Sequence, residues 1–167
     1  VKNILVLLGL GLLVSALVVT ACSSPERSQV ANYLSELDKI DNALNQTAGS
    51  VLASTDTSDP VAISDAVNKY TSAIQSAIQG LDTLTVPAIP DVQSQFNAYK
   101  SALQARLDAL KQLEGAMVHG DDAGYNDAYN QFVDAGKGIS GSYRLFEALL
   151  NKYNLTDAQV NYKSRGK

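Results

Sequence analysis

Six consecutive residues, Gly136-Lys137-Gly138-Ile139-Ser140-Gly141, satisfy the spacing G-x-G-x-x-G, with which bare backbone amides cradle a pyrophosphate. That chemistry needs a buried strand leading into the glycines and a fresh helix N-terminus after them. Here Phe132 and Ile139 carry a seven-residue apolar spacing straight through the motif, which places it in mid-helix with its amides already bonded. Nucleotide binding is therefore not expected. Glycine costs roughly 0.8–1 kcal/mol relative to alanine in a helix interior. Gly136, Gly138 and Gly141 thus predict either a close approach of two helices or a mobile turn.

Other constellations fail on spacing. A carboxylate-bridged di-iron bundle needs a Glu on two helices and Glu-x-x-His on the other two. The chain has Glu26, Glu36, Glu114 and Glu147 and one histidine, with Met117 and Leu150 at the positions three after Glu114 and Glu147. Haem attachment through Cys-x-x-Cys-His is excluded by the single cysteine, and Met117 and His119 are too close in sequence to ligate opposite faces of a porphyrin. His119 reads as an exposed cation at a helix end, and Met117 as a core filler continuing the row Phe96, Leu103, Leu110. Asp121 and Asp122, with Asp127 nearby, lack the alternating oxygen ligands of a calcium loop and read as helix caps. No serine has a nucleophile motif around it. The expectation is no catalytic residue, no metal and no cofactor.

The elements that would position any site are four helices. Apolar residues recur every seven positions in four blocks: Val30, Leu37, Leu44, Val51; Ile63, Tyr70, Ala77, Leu84; Phe96, Leu103, Leu110, Met117; and Tyr125, Phe132, Ile139, Phe146, Tyr153. Companion rows three or four residues away (Tyr33 and Ile40; Val67, Ile74 and Leu81; Val92, Tyr99 and Leu113; Tyr129, Tyr143 and Leu150) complete one stripe per helix. Asp59-Pro60, Pro90-Asp91 and Gly120-Asp121 mark the helix starts and stops. Short connections make antiparallel neighbours. The fold expected is all-α, an antiparallel up-down four-helix bundle over residues 28–155, followed by a basic tail, 156–167, with Lys163, Arg165 and Lys167 and room for one turn at Asp157 to Val160.

Two details test the packing of that bundle. Arg106 falls where the third stripe calls for an apolar residue, so Leu107 is expected to take the core position with the Arg106 stem along the flank. Eight tyrosines and no tryptophan suggest rings at the edge of the core with hydroxyls reaching water; lining a groove instead, they would suggest a ligand or partner.

The first 21 residues are of another kind. Lys2 supplies a positive start, Ile4 to Val18 is uncharged and apolar, and Ala21 is small. This is the make-up of a secretory signal. The only cysteine follows at once, and Val19-Thr20-Ala21-Cys22 resembles the lipobox of bacterial lipoproteins. The resemblance implies cleavage between Ala21 and Cys22, diacylation of the Cys22 sulfur, and residues 22–27 as a tether between lipid and bundle. An uncleaved anchor, or a plain secretory signal that leaves a free thiol, would use the same apolar run. The cysteine at the cut site favours the lipoprotein.

The chain carries 13 basic and 17 acidic residues, which argues against nucleic acid, whose binders need a concentrated basic footprint. One cysteine leaves no disulfide, so packing alone must hold the fold. The functional expectation is a non-enzymatic binding or scaffolding module. It would be held to the extracytoplasmic side of a bacterial envelope membrane by acylated Cys22 and face an envelope protein partner. The alternative is a small-ligand sensor or carrier with a cavity between the helices.

Overall fold

The computed structural model describes residues 24–56 and 58–160, so the signal segment and Cys22 lie outside the described residues. Four helices follow one another: α1 (Pro25–Ser54), α2 (Pro60–Thr83), α3 (Pro90–His119) and α4 (Asp122–Lys152). Cross-helix pairs give the topology. Gly80 of α2 lies against Ile40 of α1, Lys100 of α3 pairs with Asp82 of α2, and Gly138 of α4 meets Ala102 of α3. Each neighbour therefore runs antiparallel to the last, and the molecule is an all-α up-down bundle. The proximal end holds the start of α1 and the end of α4; the distal end holds the α1–α2 and α3–α4 connections.

The caps follow the local sequence. Asp59 accepts a hydrogen bond from the Val61 amide at 2.9 Å, with Pro60 at the first helical position. Gly120 is left-handed (φ 64°), and the Asp121 amide returns to the Ala116 carbonyl at 2.9 Å, so α3 ends in a Schellman turn. Asp121 then caps α4 through the Gly124 amide, 3.0 Å away. At the other end of α4 a non-glycine residue, Asn154 (φ 48°), takes the left-handed position. A 3-10 turn, η1 (Asp157–Gln159), follows, and Val160 is fully buried. The sequence pattern places the start of α1 at residue 28. It lies instead at Pro25, because Ser24 accepts from the Arg27 amide and Pro25 fits the first position. The expected tether, 22–27, is therefore helical over its last three residues.

The core collects the predicted stripes: Val30, Leu37 and Leu44; Ile74, Ala77 and Leu81; Leu103 and Leu110; Phe146 and Leu150. Leu107 takes the core position beside Arg106, as expected. Two rows depart from expectation. Met117 is exposed rather than core, at the rim of a hollow that it lines with Ser64 and Val67 of α2. Tyr125 and Tyr129 are exposed too, although they lie on the predicted stripe. The cause is a third row on α4, Ala128, Ala135 and Ser142, all buried, which rotates these tyrosines away from the centre. Opposite that row α3 buries Ala102, Ala109 and Ala116. Small residues on both sides let the two backbones approach, and α3 and α4 make the most extensive helix–helix contact in the bundle.

α4 is helical through all three of its central glycines. A methyl group at Gly138 would stand 3.1 Å from the Ala102 Cβ, at Gly136 it would meet the Arg106 guanidinium at 3.5 Å, and at Gly141 it would meet nothing within 4 Å. Gly141→Ala is therefore expected to stabilise the fold by about 0.5–1 kcal/mol through helix propensity. Gly138→Ala should lose that gain to the tight contact with Ala102, and Gly138→Leu should cost about 1–3 kcal/mol by forcing α3 and α4 apart. Urea denaturation of the three variants checks the order. Amide exchange across residues 132–146 reports directly whether this turn opens more readily than the rest of α4.

Candidate functional site

The most concentrated polar chemistry lies inside the bundle, on residues the sequence pattern treats as ordinary. Asp38 and Asp41 stand about one turn apart on α1, each only 3% exposed. Leu34, Asp41 and Ala48 form a seven-residue row on the buried side, so an aspartate occupies a core position. Tyr99 of α3 donates its hydroxyl to Asp41 Oδ1 at 2.5 Å, and Tyr143 of α4 donates to the same oxygen at 2.8 Å. The Asn45 amide adds a third donor at 3.1 Å and also reaches the Asp41 carbonyl at 2.8 Å. Beside them, Asn42 donates to Asp38 Oδ2 and Tyr33 donates to the Gln95 side-chain carbonyl.

Burial of a carboxylate costs several kcal/mol unless hydrogen bonds replace its water. Two hydroxyls and an amide converge on Asp41 to do so, and hydrogen bonds to a charged group are worth about 1.5–3 kcal/mol each. Burial pushes the Tyr99 phenol above its ordinary value of 10.0, with smaller contributions in the same direction from Tyr143, Tyr70, Asp38 and Tyr33. Burial likewise raises Tyr33. These phenols therefore stay protonated and donate. The expectation that tyrosine hydroxyls reach water is corrected for Tyr33 and Tyr99, whose whole side chains are internal. The cavity enclosed by Leu37, Asp38, Asp41, Gln95, Tyr99, Tyr143 and Phe146 measures about 10 Å³. That is room for about one water molecule, not for an organic ligand.

A second cluster lies between α2, α3 and α4. The Arg106 guanidinium is 4.1 Å from the Phe132 ring centroid and 5.4 Å from that of Tyr70. The two rings face each other edge-on, 6.4 Å apart. Arg106 is thus held between aromatic faces, an arrangement worth about 0.5–2 kcal/mol per ring depending on desolvation. Its Nε is buried without a hydrogen-bond partner. The Tyr70 phenol is raised because burial outweighs the guanidinium.

The residues singled out from the sequence are spread out. Gly136 and Gly138 lie near Arg106 and on the α3–α4 seam; Met117, His119 and Asp121 are at the distal end. Cys22 and Ala21 are outside the described residues. Among the described residues, no group of three or more His, Cys, Asp or Glu side chains is placed to hold a metal ion, and no helix is long and apolar enough to cross a membrane. Comparison of the chain with protein-family models, with curated proteins and with solved structures gives no match.

The exposed large apolar side chains show a pattern of their own. Leu52, Val61, Met117, Val118, Tyr125, Tyr129 and Val133 all lie in the distal half, and Leu145 alone lies in the proximal half, among the described residues. Tyr125, Tyr129 and Val133, spaced by four, line one face of α4. The distal connections and the helix turns next to them carry Asp56, Asp59, Asp65, Glu114, Asp121, Asp122 and Asp127 against Lys69, Lys111 and His119.

The internal cluster makes a pointed prediction. Tyr99→Phe should destabilise the bundle by about 1.5–3 kcal/mol, and Tyr143→Phe by a similar or smaller amount. A double-mutant cycle of Tyr99→Phe with Asp41→Asn should show coupling, read from denaturant midpoints. Raised phenols hold stability that is complete below the unfolded-state value and is lost as pH rises beyond it. Helicity should therefore fall in strong alkali together with the late rise of tyrosinate absorbance from Tyr33 and Tyr99. A tyrosinate signal that is complete while helicity is intact would contradict their burial.

Proposed function

We propose that this chain is a bacterial envelope lipoprotein, cleaved before Cys22 and acylated there, whose bundle is a non-enzymatic docking module. The observation that carries the docking role is the gathering of exposed apolar side chains at the distal end. A soluble surface scatters such residues; a cluster rimmed by charge is the usual mark of a protein-binding site. The rim is acidic, so the partner that fits is an envelope protein presenting apolar side chains flanked by Lys or Arg. The cavity beside Asp41, about 10 Å³, admits no organic molecule; the open grooves between α1 and α2, about 700 and 820 Å³, are where the alternative, a small-ligand carrier, would bind.

The anchor reading rests on Lys2, the apolar run, Ala21 and the sole cysteine at the cut site. Diacylation gives a stable hold where one chain is marginal. The bundle starts at Pro25, three positions after Cys22, so acylation there would hold it close to the lipid.

Two measurements test the proposal. Intact-mass analysis of the native protein should give a chain that begins at Cys22 and carries acyl mass, and Cys22→Ala should accumulate as uncleaved precursor. Tyr129→Ser with Val133→Ser should leave the fold and the lipid in place, yet remove a specific partner that the parent co-purifies from its membrane. A native N-terminus without acyl mass would sink the anchor. An unchanged set of co-purifying proteins would sink the docking role.

A further inference from the structure

The first of the two grooves between α1 and α2 runs from Ile40 and Ala77 at mid-bundle to Val51 and Lys69 toward the distal end. Ile40 to Val51 spans about 16 Å of helix. At mid-bundle α2 comes close to α1, where a methyl group on Gly80 would stand 3.3 Å from the Ile40 side chain. That close approach marks the boundary with the second groove, which Ile40 also borders and whose Glu36 and Lys39 pair with each other at 2.5 Å.

The walls of the first groove present hydrocarbon. Leu44 and Ala77 are buried there, and Ile40, Val51 and Ala73 are half-buried. Four hydroxyls line it as well, yet each donates to a carbonyl of its own helix: Thr47 to Ala43 at 3.1 Å, Ser50 to Thr47 at 2.9 Å, Ser72 to Asn68 at 2.9 Å and Ser76 to Ser72 at 3.0 Å. Their protons are engaged, so the groove offers few donors to a guest. A polypeptide segment laid there would leave main-chain carbonyls unpaired, whereas a hydrocarbon chain needs no partner. Lys69 is the one charged side chain lining the groove. It stands at the distal end and forms no ion pair with a carboxylate among the described residues.

We infer that this groove binds a free single-chain amphiphile with an anionic head, of the fatty-acid class. The chain lies between α1 and α2, and the carboxylate meets Lys69. Burial of the methylenes drives binding. Lys69 is exposed, so its ion pair adds little affinity and instead sets the head group and the direction of the chain. The inference gives the small-ligand reading its ligand class and rests on that reading. The docking face of Tyr125, Tyr129 and Val133 shares no residue with the groove.

The test titrates residues 23–167, which contain every described helix and contact, with dodecanoate below its micelle concentration, followed by calorimetry. Saturable binding is expected. Lengthening the chain from octanoate to dodecanoate should tighten it about threefold or more for every two carbons, with no further gain once the chain outgrows the groove. Lys69→Gln should weaken dodecanoate about two- to fivefold while leaving dodecanol binding unchanged. Ala43 is exposed within the groove, so Ala43→Leu should keep full helicity and lower dodecanoate affinity about tenfold. Absence of saturable binding would overturn the inference, and so would either variant binding dodecanoate as the parent does. A parent that binds dodecanol as tightly as dodecanoate would keep the carrier reading but overturn the anionic class. Sedimentation without ligand covers the remaining occupant: a dimer that Ala43→Leu breaks would make the groove an interface between copies, and the inference would fall. None of these results bears on the docking role, whose readout is the protein that co-purifies.

Discussion

One buried oxygen organises the interior. Asp41 Oδ1 takes hydroxyls from Tyr99 on α3 and Tyr143 on α4, so a single carboxylate on α1 joins three of the four helices. Apolar stripes tolerate sliding by a turn at modest cost, since one leucine replaces another. A desolvated carboxylate does not, because any register that moves the two phenols away takes two of its donors and leaves those of its own helix. The hydrogen-bonded aspartate thus fixes how α1 sits against α3 and α4, while the leucines supply most of the favourable free energy of burial. The Tyr33–Gln95 pair repeats the device between α1 and α3, about one to two turns along the bundle.

The second constraint is the narrow seam between α3 and α4. Alanines on both helices, with Gly138 against Ala102, bring the backbones close and decide which face of α4 points inward. The orientation has an outward consequence. Tyr125, Tyr129 and Val133 are turned to solvent because Ala128 and Ala135 occupy the contact. The surface that distinguishes the distal end is therefore a product of how tightly two helices pack on the other side of α4.

Much of this was legible in the chain. Seven-residue spacing located four helices, and Asp59-Pro60, Pro90 and Gly120-Asp121 located the breaks, because caps act through local geometry that residue type alone determines. Leu107 displacing Arg106 was readable for the same reason, since charge and stem length leave few choices at a core edge. Tyr125 and Tyr129 were misread because a row of large residues draws the eye, whereas Ala128, Ala135 and Ser142 set the rotation by being small. The internal cluster was missed although Leu34, Asp41 and Ala48 share a heptad position. A carboxylate there is sensible only with phenols from residues 58 and 102 positions away, which no local pattern reveals.

That separation bears on the order in which the chain can become a folded object. α3 and α4 are joined by a turn of only Gly120 and Asp121, so their seam can form as soon as both helices exist, by closure of a very short loop. On α1 the Asn45 amide is a local donor to Asp41, whereas both phenols come from distant helices. Asp41 must wait for Tyr143, which arrives more than a hundred residues later during synthesis. Until α4 has been made, Asp41 lacks the Tyr143 hydroxyl, and its set of donors is incomplete. For a chain threaded across a membrane N-terminus first, as the proposed signal requires, the last of these donors arrives with the last helix.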